Sequence, residues 1–193
     1  SLVSAWRTSG ATDGSDWSRI EVFSSTGEPS TRSDSLWLMS RAGYRAPVIE
    51  YCGGTEIGGG YITGTVVQPA SPATFTTPAL GLDLVVLDSS GREVAEGEAG
   101  EVFLVPPSIG LSQSLLNRDH DEVYYRGCPT GPSGEVLRRH GDVMERLPGG
   151  SYRAQGRAVQ QTEVLVAVRV VAARAVQVPG RVSAPGRLVE QAA

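Results

Sequence analysis

Thr55 and Glu56 stand side by side in "YCGGTEIGGG" (51–60), with glycines on both flanks. A threonine hydroxyl can serve a phosphate oxygen, and a glutamate offers Mg2+ a hard anionic oxygen. Glycine has no Cβ, so it lets a ligand or another backbone come close and takes up turns that other residues resist. A tight turn carrying a surface glutamate fits the same letters equally well. Two further residues could share that chemistry. Asp142, in "RRHGDVM", has a carboxylate that can accept two donors at once, which suits a vicinal diol. Arg157, in "SYRAQGR", has a permanent charge in a planar fork that matches phosphate. Taken alone, each also reads as an ordinary turn carboxylate or exposed charge.

The remaining reactive side chains are less promising. His120 sits among Asp119, Asp121 and Glu122 in "RDHDEVYY", but neighbours on an extended chain point to opposite sides, so a solvated loop is expected rather than a metal site. His140 is expected to orient its loop or bond to backbone rather than act as a base. Cys52 and Cys128 have no metal-ligand spacing and read as buried, reduced thiols. Trp6, Trp17 and Trp37 read as packing residues. No Ser-His-Asp or Cys-His arrangement has support.

These side chains need elements to hold them. "RIEVFSS" (19–25) reads as a strand ending in the turn cluster "STGEPS". "TRSDSLWLMSRAG" reads as a helix capped by Thr31 or Ser33 and stopped at Gly43, and "APVIEYC" as a buried strand. Strand, loop, helix, strand is the order of an α/β unit. After about residue 70 the pattern becomes β-prone: "LDLVVLD" (82–88), "GEVFLVP" (100–106), "EVLRRHGDVMERL" (135–147) and "SYRAQGR" (151–157) are separated by Gly, Pro and charged turns. This half is expected to form a distorted antiparallel barrel or curved sheet, with one short helix in "SQSLLNRDHDEVYY". The expected division is therefore 1–70, 71–158 and a Val-, Ala- and Arg-rich tail, 159–193, expected to be poorly ordered.

Composition narrows the function. A net charge of −4 argues against a general nucleic-acid or membrane-surface binder. No apolar run approaches the roughly 20 residues of a membrane helix. The opening "SLVSAWRTSG" has neither an initiator Met nor a signal layout, and reads as the middle of a longer protein. All 17 basic residues are arginine, so chemistry that requires a lysine ammonium is excluded here.

The ordered pieces "STGEPS", "YCGGTE", "GEVFLVP" and "RRHGDVMERLPGGSYRAQGR", spanning residues 17 to 158 with the residues just before them, resemble the adenylate-forming (AMP-binding) superfamily. The likeness is greatest to acetyl-CoA-synthetase-like plant acyl-activating enzymes. It implies the C-terminal portion of that family's large N-terminal domain: the end of an α/β subdomain followed by a β-barrel-like one. It also implies ATP or AMP and Mg2+ as cofactors, coenzyme A as co-substrate, and a carboxylic acid as the group activated. By the same resemblance Gly27, Glu28 and Pro29 lie against adenine, and Glu50, Tyr51, Cys52, Gly53 and Gly54 form a wall between adenine and the acyl pocket. Thr55 would contact phosphates, Glu56 hold Mg2+, Asp142 accept both ribose hydroxyls and Arg157 reach ribose and α-phosphate. Gly53 replaces a bulky Trp of short-chain relatives, which implies room for a longer or branched acid.

Full-length relatives form an acyl-adenylate and pass the acyl group to coenzyme A. The family's phosphate loop and C-terminal lysine are not in this chain, and the hinge acid expected after "GRA" is replaced by "VQQ". The leading expectation is a partial acyl-CoA synthetase, lacking its N- and C-terminal portions, that carries adenine, ribose and Mg2+ contacts and is inactive alone. The rival is a noncatalytic scaffold derived from such an enzyme. Family members work in the peroxisome or cytoplasm; this sequence ends "EQAA", with no visible address.

Overall fold

The structure is a computed structural model that describes residues 1–27 and 29–158, so the expectations for Glu28 and for the 159–193 tail fall outside the described residues. The chain opens with α1 (Leu2–Ser9), which the sequence reading did not anticipate. Ser1 caps it by accepting from the Ser4 amide, and Gly10 closes it at φ 66°. The strand expected over 19–25 shrinks to β1 (Phe23–Ser25), because Ile20 donates its amide to the Trp17 carbonyl and the chain there turns. Trp17 spends its surface on rings: 6.5 Å from Trp6 edge-on and 5.8 Å from Phe23.

Thr31 supplies the cap of α2 (Arg32–Arg41), its hydroxyl accepting from the Asp34 amide at 3.2 Å. Gly43, at φ 61°, ends that turn as its residue type suggests. The chain returns as β2 (Val48–Gly54), parallel to β1 with Phe23 opposite Val48. This is the α/β unit. A 3-10 turn, Thr55–Ile57, then reverses the chain into β3 (Gly59–Thr63), which pairs antiparallel with β2 and with β4 (Thr77–Pro78). β3 was hidden in the sequence by its glycines.

The second sheet is an antiparallel meander: β5 (Asp83–Leu87), β6 (Ala99–Val105), β7 (Arg138–Arg146) and β8 (Tyr152–Arg157). α3 (His120–Tyr124) lies in the long β6–β7 connection. Strand alternation decides what each face covers. Val86, Val102, Leu104 and Met144 turn inward against Ile57 of the 3-10 turn and Tyr61 and Ile62 of β3 and form the shared core. Leu87 and Phe103 point the other way, onto Leu137. The two sheets are stitched by a backbone bridge between Phe75 and Tyr152, with bonds of 2.9 and 2.8 Å. An α/β unit followed by antiparallel β is the architecture expected from the sequence. Among the described residues no helix is long and apolar enough to cross a membrane.

Candidate functional site

The inner face of β7 carries an unusual series. Arg138, His140 and Asp142 alternate along the strand and all three are buried; Arg138 and His140 reach Glu56 in the turn between β2 and β3, and Asp142 reaches Cys52 of β2 and Tyr61 of β3. Buried charge needs partners: Asp142 and Arg138 Nη2 have hydrogen-bonding ones, whereas the His140 nitrogens lie near carboxylates without a regular hydrogen bond. Asp142 Oδ2 accepts from the Tyr61 hydroxyl at 2.9 Å and the Cys52 thiol at 3.2 Å, and lies 3.1 Å from His140 Nε2. Its Oδ1 lies 3.4 Å from Arg157 Nε. Burial pushes the Asp142 carboxyl upward, but His140, Tyr61 and Cys52 outweigh it and hold the group below its ordinary value. The same packing acts on the donors: burial and the adjoining Asp142 charge push the Cys52 thiol up to about 12, and burial, with Cys52 and Asp142 beside it, raises Tyr61. Both therefore remain protonated donors at neutral pH.

Glu56 is held from two directions. Its carbonyl accepts from the Ser112 amide at 2.8 Å and from Arg138 Nη2 at 3.5 Å, and its carboxylate Oε1 lies 3.4 Å from His140 Nδ1. Arg138 also donates to Ser112 Oγ at 2.9 Å and sits 3.8 Å above the Tyr124 ring. Burial lowers the Arg138 pKa, partly offset by Tyr124, Tyr125 and Glu56 nearby.

The glycines now have a structural reason. A Cβ at Gly54 would fall onto the Glu56 carboxylate, and one at Gly53 onto the Gly59 carbonyl of β3. Gly60 closes against the Tyr51 ring. On this backbone the position of a Gly53 side chain is filled by β3 backbone, while Gly53 itself borders a cleft.

The residues singled out from sequence fall into two groups. Gly27, Pro29, Glu50, Tyr51, Cys52, Gly53, Asp142 and Arg157 line one cleft of about 140 Å3, together with Thr26, Phe75, Ala154 and Gly156. Gly54, Thr55 and Glu56 are outside its lining, with Glu56 linked to it through the His140 ring. Thr26, Gly27 and Pro29 also border an adjoining hollow of about 760 Å3 lined by Trp6, Phe23 and Leu38. Glu50 is buried; its Oε2 accepts from Ser30 at 2.9 Å, and Ser30 lies 2.7 Å from Ser25. Burial raises its carboxyl despite these serines.

Other expectations need adjustment. His120 is not in a solvated loop: it begins α3, its Nε2 lies 2.7 Å from the Ser112 carbonyl, and its ring packs 5.1 Å from Tyr124. A further hollow, about 770 Å3 between the Pro106–Gln113 segment and α3, contains none of the residues singled out for chemistry except His120 and its acidic neighbours. Sequence reading missed Tyr61, Phe75 and Arg138. Arg138 could have been found from the two-residue spacing 138, 140, 142 on a strand; no comparable signal marks Tyr61 or Phe75.

No family model matches the chain. Over 160 residues it is 51% identical to the probable acyl-activating enzyme 17, peroxisomal, of Arabidopsis thaliana, and 46% identical to the hexanoyl-CoA synthase of Cannabis sativa. Each alignment takes in 82% of this chain and 22% of the relative, so the chain spans about a fifth of their length. In fold it is similar to the acetoacetyl-CoA synthetase of Streptomyces lividans, with a TM-score of 0.67 at 24% identity over 80% of this chain and 24% of that one. Over the part that aligns, this chain belongs to the adenylate-forming (AMP-binding) superfamily, alongside the plant acyl-activating enzymes.

Proposed function

We propose that the cleft between β2 and β8 receives the adenosine part of ATP or an acyl-adenylate, as one wall of an acyl-CoA synthetase site. The observation that carries this is convergence: Gly27 and Pro29, the 50–53 stretch, Asp142 and Arg157, far apart in sequence, meet in one cleft. At about 140 Å3 it takes a base or a sugar rather than a whole nucleotide, and the adjoining hollow extends it. Gly27 and Pro29 flank the base. Tyr51, Cys52 and Gly53 form the opposite wall, Asp142 accepts from ribose, and Arg157 serves ribose and α-phosphate.

Thr55 and Glu56 would face the phosphates. Mg2+ is normally held by one or two carboxylates plus substrate phosphates. Glu56 fits that pattern as a single hard ligand fixed by backbone and His140 contacts, while among the described residues no three metal-binding side chains converge. A magnesium ion there would neutralise phosphate charge and would be held jointly with the nucleotide. The carboxylic acid and coenzyme A are substrates of the whole protein. We place a subdomain division near residue 70, in the connection between β3 and the last strand of the first sheet, β4, and the compartment in the peroxisome by analogy with the Arabidopsis relative.

This chain contains no lysine and so lacks the cation that the family brings to the adenylating centre. The expected result is weak ATP binding with no pyrophosphate release on adding hexanoate. Calorimetry on the chain and on Arg157→Ala tests this: the half-exposed Arg157 side chain can be removed without emptying the core, and affinity should fall about tenfold. Unchanged ATP affinity in that variant, or robust pyrophosphate release by the chain, would overturn the proposal.

A further inference from the structure

We infer that His140 is a positioning residue that ties Glu56 to Asp142, so that the phosphate end and the sugar end of a bound nucleotide are read as one mechanical unit. The role given to the two ends rests on the function proposed above; the tie itself does not. The His140 side chain is fully buried, with one carboxylate oxygen at each ring nitrogen: Glu56 Oε1 at 3.4 Å from Nδ1 and Asp142 Oδ2 at 3.1 Å from Nε2. Neither approach has the angles of a regular hydrogen bond, so the link is chiefly electrostatic and depends on where the ring is held. Tyr61 holds it: its ring centre is 4.4 Å from that of His140, and its hydroxyl donates to the same Asp142 oxygen. Gly141, at φ 88°, lies between His140 and Asp142.

The consequence is specific. Asp142 Oδ2 already faces Tyr61, Cys52 and His140, so Oδ1 is the oxygen left toward Arg157 and the cleft. A shift of Glu56 on meeting a cation would move the His140 ring and, through it, reset Oδ1.

A double-mutant cycle on the 193-residue chain tests the tie without any ligand. Glu56→Gln and Asp142→Asn are made singly and together, with His140 present and with His140→Leu, and urea unfolding is measured. With His140 present, the double variant should depart from the product of the singles by at least about threefold in the unfolding equilibrium constant; with leucine, by less than about twofold. His140→Asn keeps a nitrogen near the Nδ1 position and His140→Gln one near Nε2. Each should preserve the effect of one single substitution and abolish the coupling, which generic damage to the core would not do. Singles that multiply independently when His140 is present overturn the inference, as does coupling that survives leucine. ATP binding, measured on the same proteins, separates the two ideas. Coupling without ATP binding sinks the nucleotide reading and leaves the tie; ATP binding with independent singles does the reverse.

Discussion

The two ends of β7 carry the same kinds of residue to opposite ends of the energetic scale. At its start, Arg138, His140 and Asp142 are buried and each meets several groups from β2, β3 or the β6–β7 connection. At its end, Glu145 and Arg146 pair with Arg153 at 2.7 Å and Glu93 at 3.0 Å across more open surface. Surface pairs of this sort contribute little, because water screens them and long side chains lose freedom in forming them. Buried ones are costly unless their donors converge. The chain keeps three polar groups inside one strand face, where apolar residues would otherwise pack.

That contrast can be broken experimentally. The largest effect is expected from Asp142→Ala, which strands the Tyr61, Cys52 and His140 donors; unfolding should show a loss of about 3 kcal/mol. Next comes Gly53→Ala, whose methyl meets the Gly59 carbonyl, at about 2 kcal/mol in the same assay. If alanine is accepted there without loss, the close approach of β2 and β3 is wrong.

The pH dependence gives a smaller, signed effect. Asp142 has a folded-state pKa below its ordinary 3.8, so its contribution is complete above that value and is lost as pH falls through the lower folded one. Glu50 runs the other way: its folded pKa lies above 4.5, so ionisation costs stability as pH rises from 4.5 through the folded value. Glu50→Gln should therefore raise the melting temperature at pH 7 and leave it nearly unchanged at pH 4. Asp142→Asn should flatten the acid limb of the same curve. The smallest effect is expected from Glu145→Gln at the exposed end of β7, which should leave the melting temperature almost unmoved. A large drop there would erase the distinction between the two ends.

Much of the frame was legible in the letters, for local reasons. Thr31 and Gly43 bracket α2 because capping chemistry acts within a few residues, and "LDLVVLD" and "GEVFLVP" declare buried strands by unbroken β-branched and apolar runs. β3 was not legible: three of the glycines around it carry no periodic signal, and only the approach of β2 explains why a strand forms there. The site divided along the same line. Asp142 and Arg157 stood out as chemistry in a motif, whereas Tyr61 and Arg138 owe their place to contacts 81 and 82 residues away in sequence. His140 was readable as an orienting residue, but what it orients is visible only in three dimensions.

Cys52 carries one last consequence. Burial and the neighbouring Asp142 charge push its thiol up to about 12, so the sulfur is protonated at neutral pH. Peroxide and alkylating agents attack thiolates, so low reactivity is expected of this sulfur although it borders the cleft, and slow labelling by iodoacetamide in the folded protein checks it.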